Sequence, residues 1–159
     1  MSEFFELGLS AELAARIRQH GAATYPHECC GALLGRDYAS ASAAAGAGVS
    51  REVLALFPLV NRRDDSPGNR FSVTADDVRD AEKSARSQGL DVLGWYHSHP
   101  DHPAHPSEYD RDHAWPWYSY VIVSVQAGAP QEMTSWRLRD DRSAFVQEKI
   151  GQLQAHDAK

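Results

Sequence analysis

The spacing of hydrophobic residues predicts two longer helices set among several short strands. A helical repeat of three to four residues covers about residues 11–24, where Ser10 is a suitable N-cap. A second helix is predicted to begin after Thr74, ahead of acidic residues suited to a helix N-terminus, and to end at Gly89. The other hydrophobic runs are short or alternate with polar residues, which favours strands.

The predicted strands share short length and β-branched or alternating sequence, and they cover residues 4–7, 28–35, 52–60, 70–73, 90–99, 118–125, 132–139 and 143–149. The stretch 118–125 is strongly β-branched and is predicted to be central in a sheet. The last two strands form a predicted hairpin across Asp140–Asp141. Small or polar residues at 39–50 and 61–70 indicate two loops.

The strand predicted over 90–99 ends in two histidines one residue apart. Alternation puts Leu93, Trp95, His97 and His99 on one face and Gly94, Tyr96 and Ser98 on the other. At about 3.3 Å per residue, the Cα atoms of His97 and His99 lie roughly 7 Å apart. The two imidazoles are therefore expected to point the same way.

A proline-rich loop after this strand leads to a short predicted helix that begins at Ser107. Ser107 and Asp110 are three residues apart, so they fall on the same helical face. Two histidines and one carboxylate with an open fourth position form the ligand set of a catalytic zinc site. The segment HSHPDHPAHPSEYD contains further histidines, and spacing alone does not choose among them.

Composition narrows the class of protein. A length of 159 residues fits one domain, which we place at residues 1–150 and follow with a flexible tail at 151–159. The net charge of -6, without a basic stripe, argues against nucleic acid as a partner. No hydrophobic run reaches the roughly 20 residues needed to cross a membrane, and the N-terminus lacks a signal-peptide pattern, so we expect a cytoplasmic protein.

Two separated motifs resemble those of the JAMM/MPN-plus (Mpr1/Pad1 N-terminal domain) zinc metalloproteases. The first is HSHP, six residues and then SxxD, which begins at His97 and ends at Asp110. The second, PHECCGALLG at 26–35, is similar to the family pattern PxExCGxLxG and contains Glu28. The resemblance covers about residues 4–149 and points to the small stand-alone bacterial members.

The resemblance implies an α/β, cytidine-deaminase-like MPN/JAB fold with a curved, mostly antiparallel sheet flanked by helices. It also implies one Zn²⁺ per chain, held by His97, His99 and Asp110, with Glu28 as the general base and Ser107 as a hydrogen-bond donor to the oxyanion. The expected reaction is hydrolysis of a peptide or isopeptide bond. The expected protein substrate is a ubiquitin-like or β-grasp sulfur-carrier protein, cut near its C-terminus, and the sequence does not decide between a monomer and a homodimer.

Two alternatives stay open at this stage. The run from His97 to His102 also fits HxHxDH, the metal motif of metallo-β-lactamase-like hydrolases, which need a third histidine well downstream. A non-catalytic scaffold of the same fold is the other, although such proteins lack the ligand set. Cys30 is expected to be a small buried side chain, and Trp115 and Trp117 are expected to lie in the core.

Overall fold

The computed structural model describes residues 6–38, 51–60 and 73–152. The loops predicted at 39–50 and 61–70, nearly all of the strand predicted at 70–73, and the tail beyond residue 152 lie outside these ranges. Three helices are described: α1 (Ala11–Thr24), α2 (Ala75–Ser87) and α3 (Glu108–His113). The described strands are β1 (Glu6–Gly8), β2 (Cys30–Asp37), β3 (Arg51–Leu59), β4 (Asp91–Pro100), β5 (Ser119–Gln126), β6 (Ala129–Leu138) and β7 (Phe145–Gly151).

These strands form a closed barrel in the order β1-β3-β2-β4-β5-β6-β7. The barrel closes because the three-residue β1 pairs in parallel with both β3 and β7. β4 and β5 are also parallel, and the other four pairings are antiparallel. The predicted α/β fold, with a curved and mostly antiparallel sheet flanked by helices, is confirmed. Within the described ranges, no helix is long and apolar enough to cross a membrane.

Both long helices begin where the sequence predicts. Ser10 Oγ accepts a hydrogen bond from the Leu13 N–H at 3.1 Å, which satisfies one of the free donors at the start of α1. Thr74 caps α2 through a reciprocal pair of bonds with Asp77. After α2, Gly89 has a φ of +70°, a left-handed conformation that glycine adopts without steric cost.

Strands β2 and β4 of the barrel are covered on both faces. One face packs with α1 around Ile17, Leu33 and Tyr96, and the other packs with α2 around Ala81 and Trp95. The adjacent cysteines divide between the two layers, with Cys29 on the α1 side and Cys30 on the α2 side. Both are buried free thiols.

The prediction that Leu93 shares a face with Trp95 is wrong. A register shift interrupts the pairing of β4 with β2, where Leu33 pairs with Gly94 and the next residue pairs with Val92. This β-bulge inserts Leu93 as an extra residue and turns its side chain into the α1-side core. The alternation therefore holds from Gly94 onward but not before it.

The prediction that Trp115 and Trp117 are core residues is also wrong. They lie in the connection between α3 and β5, and their exposed fractions are 65% and 49%. Each ring packs against a guanidinium instead, Arg51 at 4.1 Å from the Trp117 centroid and Arg142 at 5.7 Å from that of Trp115.

Candidate metal centre

His97 and His99 lie near the end of β4, and their imidazoles converge as the strand alternation predicts. The two Nε2 atoms are 3.2 Å apart. β4 is held on one side by β2, where Cys30 pairs with His97, and on the other by β5. The pair of imidazoles therefore stands on a strand that is fixed at both edges.

Asp110 completes this group from the first turn of α3. Its Oδ1 lies 3.3 Å from His97 Nε2, and its Oδ2 lies 3.1 Å from His99 Nε2. Asp110 also forms a capping box with Ser107, because its Oδ2 accepts the Ser107 N–H at 2.9 Å while Ser107 Oγ accepts the Asp110 N–H at 3.0 Å. The capping box that stabilises the start of α3 therefore also holds the Asp110 carboxylate beside the histidines.

These three side chains fit a tetrahedral metal ion. Bonds of about 2.0–2.1 Å to Zn²⁺ would separate neighbouring ligand atoms by roughly 3.3 Å. The two Nε2 atoms are 3.2 Å apart, and with one oxygen of Asp110 the three ligand atoms all lie within 4.8 Å of one another. His99 Nδ1 lies 2.9 Å from the Pro103 carbonyl oxygen, which only accepts, so the ring hydrogen is on Nδ1. His99 Nε2 consequently faces the other two ligand atoms, and among the described residues only these three form such a group.

The electrostatics of the group favour positive charge at its centre. Burial alone would lower the pKa of His97, but the carboxylates of Asp110 and Glu28 outweigh burial and raise that pKa to about 9. Burial alone would raise the pKa of Asp110, but the adjacent imidazoles hold it well below its usual range. A site that stabilises a protonated imidazole between carboxylates will also stabilise a cation that replaces the proton.

Glu28 arrives from the other motif and faces the same centre. Its neighbour Cys29 bonds twice to Ser98, accepting the Ser98 N–H at 3.2 Å and donating to Ser98 Oγ at 2.8 Å. Continuing that register by one residue sets half-buried Glu28 opposite His99, and its charge contributes to the raised pKa of His97. The fold therefore brings residue 28 against residues 97–99.

The ordinary strand ladder stops short of Glu28. β2 was predicted to span 28–35, and it begins at Cys30 instead. The reason is that the Cys29 N–H bonds to the Ser98 hydroxyl, where a regular antiparallel pair would use the Ser98 carbonyl. Glu28 thus stands just outside the sheet and beside the histidines, in a position that strand periodicity alone did not reveal.

A groove of about 970 Å³ begins at this group and runs between α2 and α3. Its lining is mostly apolar and includes His97 and Asp110 together with Trp95, Val78 and the exposed Trp115. A mostly apolar cleft of this size with a few polar groups is typical of a ligand-binding site.

Other candidates from the sequence lie away from the three ligands. His102 and His105 are exposed, and neither joins the group that could hold a metal. Asp101, which the HxHxDH interpretation would make a ligand, accepts from Tyr25 Oη at 2.6 Å and from the Ala127 N–H at 2.7 Å. The β-lactamase-like motif is therefore not assembled among the described residues.

Comparisons with known proteins agree with this geometry. Residues 10–139 match the family described as prokaryotic homologs of the JAB domain. A desampylase from Haloferax volcanii is 31% identical over 113 residues, which cover 70% of this chain and 73% of that protein.

Several solved structures are also similar. A protein from Salinibacter ruber is 43% identical, with a TM-score of 0.69 and coverage of 95% of this chain and 93% of its own. A protein from Desulfitobacterium hafniense is 30% identical, with a TM-score of 0.74 and coverage of 96% and 98%. A JAB1/MPN domain protein from Archaeoglobus fulgidus is 15% identical at a TM-score of 0.50, covers 94% and 98%, and supports the fold alone.

Proposed function

We propose that this chain, which belongs to the family of prokaryotic homologues of the JAB domain, is a zinc-dependent peptidase or isopeptidase. The observation that carries the proposal is the triangle of His97, His99 and Asp110 with Glu28 beside it. Membership of the family and the related desampylase support a JAB-domain hydrolase. Zinc, as opposed to another metal, is supported by the donor set of two imidazoles and one carboxylate, whose ligand atoms lie within 4.8 Å of one another.

The proposed roles follow from what each side chain can donate or accept. A bound Zn²⁺ supplies a water of lowered pKa, about 7, and a Lewis acid for the scissile carbonyl. Glu28 accepts a proton from the attacking water and passes it to the leaving amine. Ser107 Oγ acts as an acceptor for the Asp110 N–H, and this bond does not use the hydroxyl hydrogen. Ser107 donates that hydrogen to the developing oxyanion.

The proposed substrate is the C-terminal region of a ubiquitin-like or sulfur-carrier protein. The groove supports an extended segment that ends at the proposed metal ligands, since its lining is mostly apolar and includes His97 and Asp110. The related desampylase supports a protein substrate of this kind. The net charge of -6 gives no attraction to nucleic acid.

The test is cleavage of diglycine-ending carrier proteins that bear C-terminal extensions, followed by mass spectrometry with and without a chelator. Glu28→Gln should keep the metal content of the wild type and lose at least about a hundredfold in kcat, as expected for removal of a general base. Glu52→Gln is the matched control. Glu52 is also half-buried, but it lies on β3 opposite Arg36 in the strand register, at the far end of β2. Normal cleavage by Glu28→Gln, or cleavage that a chelator does not stop, would overturn the proposal.

The scaffold alternative has its own outcome in this experiment. A metal-loaded protein that cleaves none of these carriers would be a binding module, whatever its ligand set. Two tightly bound metal ions per chain would instead favour the β-lactamase-like alternative.

A further inference from the structure

The loop between β4 and α3 is tied to β6 through a single buried residue. Ala104 has an exposed fraction of 0%. Its N–H donates to Glu132 Oε2 at 3.1 Å, and its carbonyl accepts from Thr134 Oγ1 at 2.6 Å. Both main-chain polar groups of this loop residue are thus held by two side chains of one strand.

The hydrogen bonds at Thr134 have a defined direction. Trp136 Nε1 donates to Thr134 Oγ1 at 2.8 Å, and an indole N–H has no capacity to accept. The Thr134 hydroxyl must therefore use its own hydrogen for the Ala104 carbonyl. Thr134 pairs with Ile122 of β5, and β6 pairs with β7 from Ser135 onward, so Thr134 stands where the strand is anchored in the sheet.

The peptide group held by Glu132 is the one that contacts a metal ligand. The Ala104 N–H and the Pro103 carbonyl belong to the same planar unit, so holding one end of the plane orients the other. The Pro103 carbonyl accepts His99 Nδ1–H at 2.9 Å. Glu132, a peptide plane and an imidazole therefore form a continuous chain of hydrogen bonds that ends at the Nε2 facing His97 and Asp110.

We propose that Glu132 is a positioning residue that fixes the ring orientation and tautomer of His99 through the Pro103–Ala104 peptide group. Thr134 supports it as a second positioning residue, because it holds the next peptide group of the loop at the Ala104 carbonyl. The proposal rests on the metal site of the proposed function. Partners that hold the second nitrogen of a ligating histidine typically contribute 10-fold to 100-fold to metal affinity. Here a peptide group stands between the carboxylate and the imidazole, so residues of β6 act on a ligand of β4 without contacting it.

Thr134→Val is the sharpest variant, because it keeps the side-chain shape and removes the hydroxyl. We expect it to bind Zn²⁺ about 10-fold to 100-fold more weakly in competition with a chromophoric chelator. Thr134→Ser restores the hydroxyl and should bind within about threefold of the wild type. Thr24→Val is the matched control, since Thr24 is also half-buried and donates to a backbone carbonyl, that of His20, at 3.2 Å.

A second readout does not use activity or metal. In protein freed of metal by a chelator, the imidazole ¹⁵N shifts of His99 should report hydrogen on Nδ1 in the wild type and a mixture of tautomers in Thr134→Val. Glu132→Ala should show the same pair of changes, and because Glu132 is exposed its replacement leaves the core intact.

The outcomes separate this inference from the proposed function. A wild type that binds no Zn²⁺ would sink the proposed metal centre. A wild type that binds Zn²⁺, together with Thr134→Val and Glu132→Ala that bind it equally well and keep the Nδ1 hydrogen, would overturn the positioning role alone.

Discussion

Ser98→Ala removes the contact that joins the two motifs of the site. Ser98 Oγ is the acceptor for the Cys29 N–H at 2.8 Å, across 69 residues of sequence. Both residues are almost fully buried, with exposed fractions of 0% for Ser98 and 1% for Cys29. Without the hydroxyl, the Cys29 N–H is left in the core without its acceptor.

The cost follows from that orphaned donor. An unsatisfied buried N–H costs about 1–3 kcal/mol of the free energy of unfolding. In a domain of this length each kcal/mol corresponds to roughly 2–4 °C in Tm, so Ser98→Ala should melt about 2–12 °C below the wild type. The second bond, from the Ser98 N–H to the Cys29 carbonyl, remains and should keep the strands paired.

Catalysis should suffer more than stability. The released Cys29 adjoins Glu28, and a misplacement of about 1 Å in a catalytic group can cost roughly a hundredfold in rate. Metal content should not change, because His97 and His99 stay paired with β5. The expected signature is a lower kcat at constant metal content and nearly constant KM.

Three measurements test this reasoning: urea unfolding, metal content, and amide hydrogen exchange at Cys29. Ser135→Ala is the matched control, since Ser135 is fully buried and loses one hydrogen bond, to Glu148 Oε1 at 2.7 Å, away from the three ligands. It should lose stability and keep its kcat. Unchanged exchange at Cys29, or equal kcat losses in both variants, would refute the link from Ser98 to the catalytic position.

Three further predictions concern the packing of β4, the affinity for metal and the stability of the metal-free protein. In Gly94→Ala the new Cβ would lie 1.9 Å from the Ser119 carbonyl oxygen. Because backbone cannot rotate away, the variant should lose about 3 kcal/mol of stability by calorimetry. Gly21→Ala, whose Cβ would meet a side chain at 3.1 Å, should lose far less, and equal losses would contradict the steric argument. The pKa of His97 is raised to about 9 in the absence of metal, so Zn²⁺ must displace a proton from His97 below that pH. The apparent Zn²⁺ affinity, measured by titration, should therefore rise about tenfold per pH unit from pH 7 to 9 and then level off. In protein freed of metal, the same raised pKa contributes stability that is fully present below about pH 6.5 and lost as the pH rises to about 9; a pH-independent affinity would contradict this assignment.

The parts of the site that could be predicted are those set by local periodicity. A separation of two residues on a strand gives His97 and His99 the same direction. A separation of three residues at the start of a helix places Ser107 beside Asp110. Neither inference needs any knowledge of the rest of the chain. The caps of α1 and α2 were predictable for the same reason.

The parts that could not be predicted depend on register between distant segments. The position of Glu28 follows from a side-chain acceptor on another strand, and only the family resemblance pointed to that residue. The bulge at Leu93 reverses a side chain without any signal in the hydrophobic pattern. The bonds from Thr134 to the loop join residues 30 positions apart, and a threonine in a strand is ordinary on its own.

The two roles of Asp110 couple the start of α3 thermodynamically to the proposed metal site. The same Oδ2 atom accepts the Ser107 N–H that starts the helix and faces His99. Anything that favours this geometry of α3 therefore tightens metal binding, and metal binding favours the same geometry by an equal factor. Because α3 also lines the groove, a ligand that binds there and contacts Tyr109 or His113 would change the metal affinity.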